Sequence, residues 1–285
     1  MKKTRIDWCD STWNPVTGCL HGCEYCYARR IANRFGGGYR FDLQPDSSWR
    51  KERDGGFPPV LVGDYAYHSD HSLHVLDEYA TSYSCIPYQE SDPAKKAPYP
   101  FYFDPTFHRY KLNELARWKK SRTIFVCSMA DLFGEWVPDD WIKQVFEACE
   151  AAPQHRYLFL TKNPARYIKL AKAGKLPGNE NFWYGSTAVH DRMDVYWADE
   201  YNTFVSIEPL LERFDCNGMS EANSFTDWII IGAETGNRKG KVIPEKAWVD
   251  ELAEYAKRSG VPVFMKESLR GLMGDDFRQE FPWEV

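Results

Sequence analysis

From residue 101 onward the sequence alternates between short apolar runs and helix-like segments. The runs are Phe101–Phe103, Thr123–Cys127, Arg156–Leu160, Phe182–Gly185, Thr203–Ile207, Trp228–Ile231 and Val261–Met265. From the second run onward their starts lie 33, 26, 21, 25 and 33 residues apart. Each interval holds a strand, a loop, a helix and a second loop. The runs are continuously apolar rather than alternating, as parallel strands covered on both faces require. Helix ends are legible between them. Pro138, Asp139 and Asp140 open one helix, with Trp141, Ile142, Val145, Phe146 and Cys149 as its apolar stripe. Pro244 opens another, with Trp248, Leu252 and Tyr255 facing inward and Gly260 as its stop. Thr12–Thr17 supplies a first strand and brings the total to eight. The pattern predicts an α/β chain folded as a (β/α) barrel, either complete with eight strands or partial with six or seven.

Residues 36–100 lack this rhythm. Glycine runs at 36–38 and 55–56, several prolines and many tyrosines mark a long insertion after the first helix. An insertion of this length predicts a lid or cap on a single domain spanning residues 1–285. His68, His71 and His74 within it recur every third residue, which does not put them on one face of a strand, and they read as solvated loop residues rather than as a metal site.

Composition sets outer limits on function. Hydrophobic residues make up 43% and charged residues 27%, which fits an ordered globule. The net charge of −5 argues against a protein that holds nucleic acid by bulk charge, so any such contact must be local. The longest apolar run, Trp228–Ala233, is far short of the ~20 residues of a membrane helix. Lys2 and Lys3 precede no apolar stretch, so no signal peptide is expected. Together these predict a cytoplasmic chain without membrane contact. There, eight cysteines read as metal ligands, reactive thiols or buried hydrophobes rather than as disulfides.

Four of the eight fall early: Cys9, Cys19, Cys23 and Cys26. Cys19, Cys23 and Cys26 form C-x3-C-x2-C within Gly18-Cys19-Leu20-His21-Gly22-Cys23-Glu24-Tyr25-Cys26-Tyr27. Three thiolates this close can converge on one iron–sulfur cluster from a single loop. In a four-iron cluster they leave one iron free to bind a small molecule through nitrogen and oxygen. Gly18 and Gly22 let the backbone wrap closely, and Tyr25 sits where it can flank the bound molecule. Two other readings stay open: zinc held by these cysteines with His21 or Asp10, and inert buried thiols. Cys9 is either a further ligand or a buried structural cysteine.

An aromatic residue before the last cysteine, at the end of a first barrel strand, resembles the radical S-adenosylmethionine superfamily. The wider chain resembles a phage-associated three-cysteine-motif family of the DUF5131 type. The matching pieces are Trp13-Asn14-Pro15-Val16-Thr17-Gly18-Cys19, Gly22-Cys23-x-x-Cys26-Tyr27-Ala28, Ser128-Met129-Ala130-Asp131-Leu132-Phe133, Leu160-Thr161-Lys162, Ser206-Ile207-Glu208-Pro209-Leu210-Leu211 and Gly232-Ala233-Glu234-Thr235-Gly236. They span the chain apart from the 36–100 insertion. Departures occur where family members carry a longer gap between the first two cysteines, Gly-Gly-Glu-Ser-Gly for residues 232–236, and Lys-Gln-Trp for Lys266-Glu267-Ser268.

The resemblance implies a barrel of radical S-adenosylmethionine type and a [4Fe-4S] cluster on Cys19, Cys23 and Cys26. It implies S-adenosylmethionine on the open iron, cleaved by the reduced cluster to a 5′-deoxyadenosyl radical that abstracts hydrogen from a substrate above the barrel. A reductant protein such as a flavodoxin or ferredoxin would supply the electron. Phage association suggests a nucleotide, DNA or RNA as the substrate. Such barrels build their sites at the C-terminal ends of strands. Polar residues stand at those ends here. Lys162, Glu208, Glu234 and Lys266 are the candidate catalytic groups. Tyr25, Ser128, Asp131, Thr187 and Ser206 are the candidate cofactor contacts. Charged residues there are costly to bury without a partner or ligand, although a ring of structural ion pairs would also satisfy them. Arg29, Arg30 and Arg34 follow the cysteine loop and are candidates for a phosphate. Two rival functions keep parts of this pattern: a non-catalytic iron–sulfur redox or partner-binding protein, and a zinc-dependent barrel hydrolase.

Overall fold

The computed structural model describes residues 4–36, 73–77, 81–82, 95–96, 98–216 and 226–284. His68 and His71, and most of the 36–100 insertion, lie outside them. The strands are β1 (Ser11–Trp13), β2 (Val16–Thr17), β3 (His74–Leu76), β4 (Thr81–Ser82), β5 (Lys95–Lys96), β6 (Thr106–His108), β7 (Thr123–Val126), β8 (Arg156–Thr161), β9 (Phe182–Thr187), β10 (Asn202–Ile207), β11 (Ile229–Ile231) and β12 (Val263–Met265). The helices are α1 (Tyr27–Phe35), α2 (Asp139–Glu150), α3 (Pro164–Lys172), α4 (Lys246–Arg258) and α5 (Arg270–Met273).

Seven strands form one parallel sheet in the order β1-β7-β8-β9-β10-β11-β12, which curls into a half-barrel. Sequential order with parallel pairing is what repeated strand–helix–strand units produce. The outward residues Ile124, Val126, Tyr157, Phe159, Phe182 and Tyr184 pack on Trp141, Val145, Phe146 and Cys149 of α2 and on Tyr167 and Leu170 of α3. Val205, Ile207, Ile229, Ile231, Val263 and Met265 likewise pack on Val249, Leu252, Ala253 and Ala256 of α4. The alternate residues face into the curl. Phe125, Leu158, Trp183, Phe204, Ile230 and Phe264 form a buried layer with Trp8 and Trp228. This layer fills the bore with aromatic side chains and leaves the cavity above it at the C-terminal ends of the strands.

Two expected strands behave differently. Thr12–Thr17 is not one strand. Pro15 lacks an N–H, and Asn14 turns its Oδ1 to accept from Ser128 Oγ (3.1 Å) and Met129 N (2.9 Å). The chain therefore leaves the main sheet at Trp13, and Val16–Thr17 joins a separate sheet in the order β2-β6-β3. Phe101–Phe103 is a turn. Tyr102 has φ 53°, and the N–H of Asp104 bonds the carbonyl of Phe101 at 3.0 Å, a geometry no strand adopts. Its phenylalanines are buried all the same. Among the described residues the main sheet has seven strands, not eight or six. The edge strand β12 is covered: Met265 N donates to Arg278 O (2.8 Å) and Glu280 N to Val263 O (3.0 Å). His74 is no solvated loop residue either, since it stacks on Phe101 with ring centroids 3.7 Å apart.

Beside the half-barrel, His108 of β6 is fully buried. Its ring nitrogens meet Thr17 Oγ1 at 2.9 Å and the Tyr110 hydroxyl at 3.2 Å. Burial, then the nearby Lys111 ammonium, holds its pKa well below the ordinary 6.5. The unfolded chain takes up a proton there as pH falls through about 6.5, and the native chain does not. Stability is therefore complete above that pH and is lost below it, by up to about 1.4 kcal/mol per pH unit for this one group. Denaturant titrations between pH 7 and 5 should show a flatter slope for His108→Gln than for the wild type. Equal slopes would refute the assignment.

Candidate cofactor site

One cavity lies at the C-terminal ends of the strands, and the candidate cluster cysteines, cofactor contacts and catalytic groups all line it, whereas Cys9, Asp10, Arg29, Arg30 and Arg34 do not. Cys19, Cys23, Tyr25 and Cys26 come from the loop before α1. Ser128 and Asp131 follow β7, Lys162 follows β8, Thr187 ends β9, Ser206 and Glu208 belong to the end of β10, Glu234 follows β11 and Lys266 follows β12. Counted out to solvent, the space is about 1070 Å³, enough for a drug-sized cofactor or substrate. The apolar side chains Ile6, Trp8, Phe125 and Leu160 also line it.

The cysteine loop is fixed by backbone contacts that require glycine. Gly18 has φ +87°, and a Cβ there would lie 2.2 Å from the Asp104 carbonyl oxygen. The close approach allows Gly18 N to bond Met129 O (2.9 Å) and Cys19 N to bond Phe103 O (3.1 Å). Arg29 spans back to donate to Cys19 O at 3.3 Å, with its guanidinium over the Phe103 ring. Cys26 caps α1, its Sγ accepting from Arg29 N at 3.3 Å, and thereby sits at the positive end of the helix. The Tyr27 hydroxyl donates to Ser128 O at 2.7 Å. Burial pushes the Cys19 thiol up to about 12. Burial, then the Cys23 side chain, also raises the Tyr25 phenol. Among the described residues no three His, Cys, Asp or Glu side chains stand close enough to hold a metal ion, so the three thiols share a wall without closing on one another.

His21, between the first two cysteines, has a structural partner. Its Nε2 lies 2.7 Å from Asp131 Oδ2, and its ring packs edge-on against Trp136. The Asp131 carboxylate also accepts from Thr161 Oγ1 (2.7 Å), Phe133 N (3.0 Å) and Lys162 N (2.8 Å). It thus ties the cysteine loop to the end of β8. Asp10, the other candidate fourth ligand, accepts from Thr123 N at 2.8 Å. Ser128 gives its hydroxyl to Asn14. Cys9 does not line the cavity; its thiol packs against the aromatic layer near Phe125 and is pushed up to about 12 by burial.

The charged candidates divide into pairs. Lys266 Nζ bonds the Glu208 carboxylate. Gly232 makes room for that pair, because a Cβ there would come within 2.8 Å of Lys266 and 3.2 Å of Glu208. Glu234 is held by both Nε (2.6 Å) and Nη2 (2.7 Å) of Arg238, which lowers the pKa of its carboxyl. Arg238 also lies 3.6 Å from Glu24 of the cysteine loop. Arg238 was not visible as a site residue in the sequence; only its four-residue spacing from Glu234 hinted at the pair. Trp8 was missed as well, because the N-terminal segment shows no periodicity.

A family model described as a protein of unknown function, DUF5131, matches residues 3–54 and 82–272. The chain belongs to the DUF5131 family. The match takes in the cysteine loop and every strand end that lines the cavity, and the unmatched residues 55–81 fall inside the 36–100 insertion. No curated protein and no solved structure matches the chain. Among the described residues no helix is long and apolar enough to cross a membrane.

Proposed function

We propose that this DUF5131 member is a radical S-adenosylmethionine enzyme in which Cys19, Cys23 and Cys26 hold a [4Fe-4S] cluster. The observation that carries the reading is convergence: three cysteines of one short loop and the polar ends of six parallel strands line a single cavity above an aromatic floor. The donor set suits the group. Three soft thiols face the space, while the two candidate fourth ligands, His21 and Asp10, are engaged by Asp131 and by the Thr123 backbone. Burial disfavours the Cys19 thiolate, so a bound cation would stabilise it. Cys26 would gain the same support from the α1 N-terminus.

When bound, the reduced cluster supplies an electron that cleaves S-adenosylmethionine and yields a 5′-deoxyadenosyl radical. The chain's own residues position and shield. Asp131 holds the cysteine loop through His21. Arg238 braces it from the other side through Glu24. Trp8, Phe125 and Leu160 keep water from the inner face. The Glu208–Lys266 pair, half-withdrawn from solvent and set against Gly232, supplies a proton-bearing pair to the cavity. We take a flavodoxin or ferredoxin as the electron donor and a nucleotide or nucleic acid as the substrate.

Protein reconstituted under anaerobic conditions should bind about four irons, show the electron paramagnetic resonance of a reduced cluster, and release 5′-deoxyadenosine from S-adenosylmethionine with dithionite. Four-iron protein that neither binds nor cleaves S-adenosylmethionine would leave an iron–sulfur redox or partner-binding protein instead. Zinc in place of iron in anaerobically purified protein would favour the hydrolase.

A further inference from the structure

The charged groups of the cavity are not all balanced, and the imbalance lies on one wall. Glu208 is matched by Lys266, Glu234 by Arg238, and Asp131 by His21 and three further donors. Lys162 makes no ion pair among the described residues. Its ammonium sits 5.4 Å from the Tyr25 ring centroid and points toward the cysteine loop. On the two strands that follow β8, the inward positions at the same depth are hydroxyls. Thr187 of β9 stands in register with Ser206 of β10. The neighbouring Ser186 turns outward and accepts from Tyr196 N at 2.8 Å. Ser206 is 1% exposed, and its Oγ has no hydrogen-bond partner. Thr187 is also buried, and its hydroxyl bonds no side chain among the described residues. A buried hydroxyl left unpaired is destabilising, so such a group marks where a ligand supplies the missing bond. Three adjacent strands thus present an ammonium and two hydroxyl donors to one side of the cavity, and the nearby carboxylates, Asp131 and Glu208, are already held by His21 and Lys266.

We propose that Lys162, Thr187 and Ser206 form an anion subsite that takes a phosphate or carboxylate group of the molecule bound in the cavity. The ammonium supplies charge, and the hydroxyls supply directional donors to the remaining oxygens. Lys266 and Arg238 cannot take this part, because they are occupied by Glu208 and Glu234. The subsite also gives burial of Lys162 a purpose: desolvation disfavours its charged form, and an arriving anion would restore it. The inference rests on the radical-enzyme reading for the identity of the cavity's occupants, but not for the anion preference itself.

Two sources of the anion are distinguished by paired probes on the anaerobically reconstituted full chain. The first pair comprises the four 5′-ribonucleoside monophosphates and the corresponding nucleosides. The second comprises S-adenosylmethionine and its decarboxylated form. Equilibrium binding should favour the anionic member of at least one pair by about tenfold or more, the scale of one charge-assisted hydrogen bond. Lys162→Met should erase that preference, and Lys162→Arg should retain it. Thr187→Val and Ser206→Ala should weaken it while leaving the neutral member unaffected. A preference within the first pair assigns the anion to the substrate, and within the second to the cofactor. Lys162→Met protein with wild-type iron content that binds all probes as the wild type does would overturn the subsite. Loss of iron and of S-adenosylmethionine binding in the wild type, with the nucleotide preference intact, would instead refute only the radical-enzyme reading.

Discussion

Cys19→Ala, Cys23→Ala and Cys26→Ala proteins are each expected to lose the cluster, with iron content and visible absorbance near zero after anaerobic reconstitution and no cleavage of S-adenosylmethionine. Cys9→Ala is expected to retain both. The contrast follows from position rather than from residue type. The three loop thiols line the cavity, whereas Cys9 packs against the aromatic layer with its Sγ 3.9 Å from the Ile6 carbonyl. With three protein ligands, loss of any one leaves two irons without protein donors, and such clusters do not persist. Cys127, Cys149 and Cys216 are buried in the packed layers and serve as internal controls. Full iron binding by any single loop variant, or loss of iron on Cys9→Ala, would refute this ligand set. The variants need to be compared at equal secondary structure, because the same loop anchors α1 through the Cys26 cap.

The second large effect concerns the floor of the cavity. Gly185 lies opposite Phe204 in the β9–β10 ladder, and the Phe204 ring covers it so closely that a Cβ would fall 2.2 Å from the ring edge. Phe204 is completely buried against Trp8 and Trp228, with ring centroids 6.1 Å and 5.7 Å away, so it has nowhere to move. Gly185→Ala is expected to destabilise the chain by about 1–3 kcal/mol through overpacking. Phe204→Ala is expected to cost about 3–5 kcal/mol by leaving a cavity. The double variant should cost less than the sum, because the added methyl occupies space the ring vacated. Urea unfolding of the four proteins measures this coupling. Additivity within about 0.5 kcal/mol would show that the two sites do not share space.

Much of the architecture was legible because it is local. The run Arg156–Leu160 is apolar after its first residue, so it belonged in a covered parallel strand, and β8 extends it only to Thr161. The stripe Trp141, Ile142, Val145, Phe146 and Cys149 is the buried face of α2, since a period of 3.6 leaves no other arrangement. The strand-end residues were legible for a related reason. Once a strand and its inward alternation are known, the residue just beyond its C-terminal end is directed toward the mouth. Lys162, Thr187, Glu208, Glu234 and Lys266 could therefore be assigned to one cavity without knowing any distance.

The strand count was not decided by local pattern. Thr12–Thr17 has the composition of one strand, but Asn14 bonds groups more than a hundred residues away, at Ser128 and Met129, and Pro15 breaks the ladder. Phe101–Phe103 is as apolar as a strand, yet the positive φ of Tyr102 folds it into a wedge under the cysteine loop. The choice of ion-pair partners was also beyond the sequence. Glu208 meets Lys266, 58 residues on, while Glu234 turns from that pair to Arg238 on its own loop. Periodicity fixes which side of an element a residue occupies, and the sequence by itself determined the sheet, the helix faces, the cysteine loop and the ring of strand ends. Electrostatic pairing falls off over a few ångströms, so only the packed tertiary structure decided which of those charges cancel and that Lys162 faces the cavity without an ion pair among the described residues.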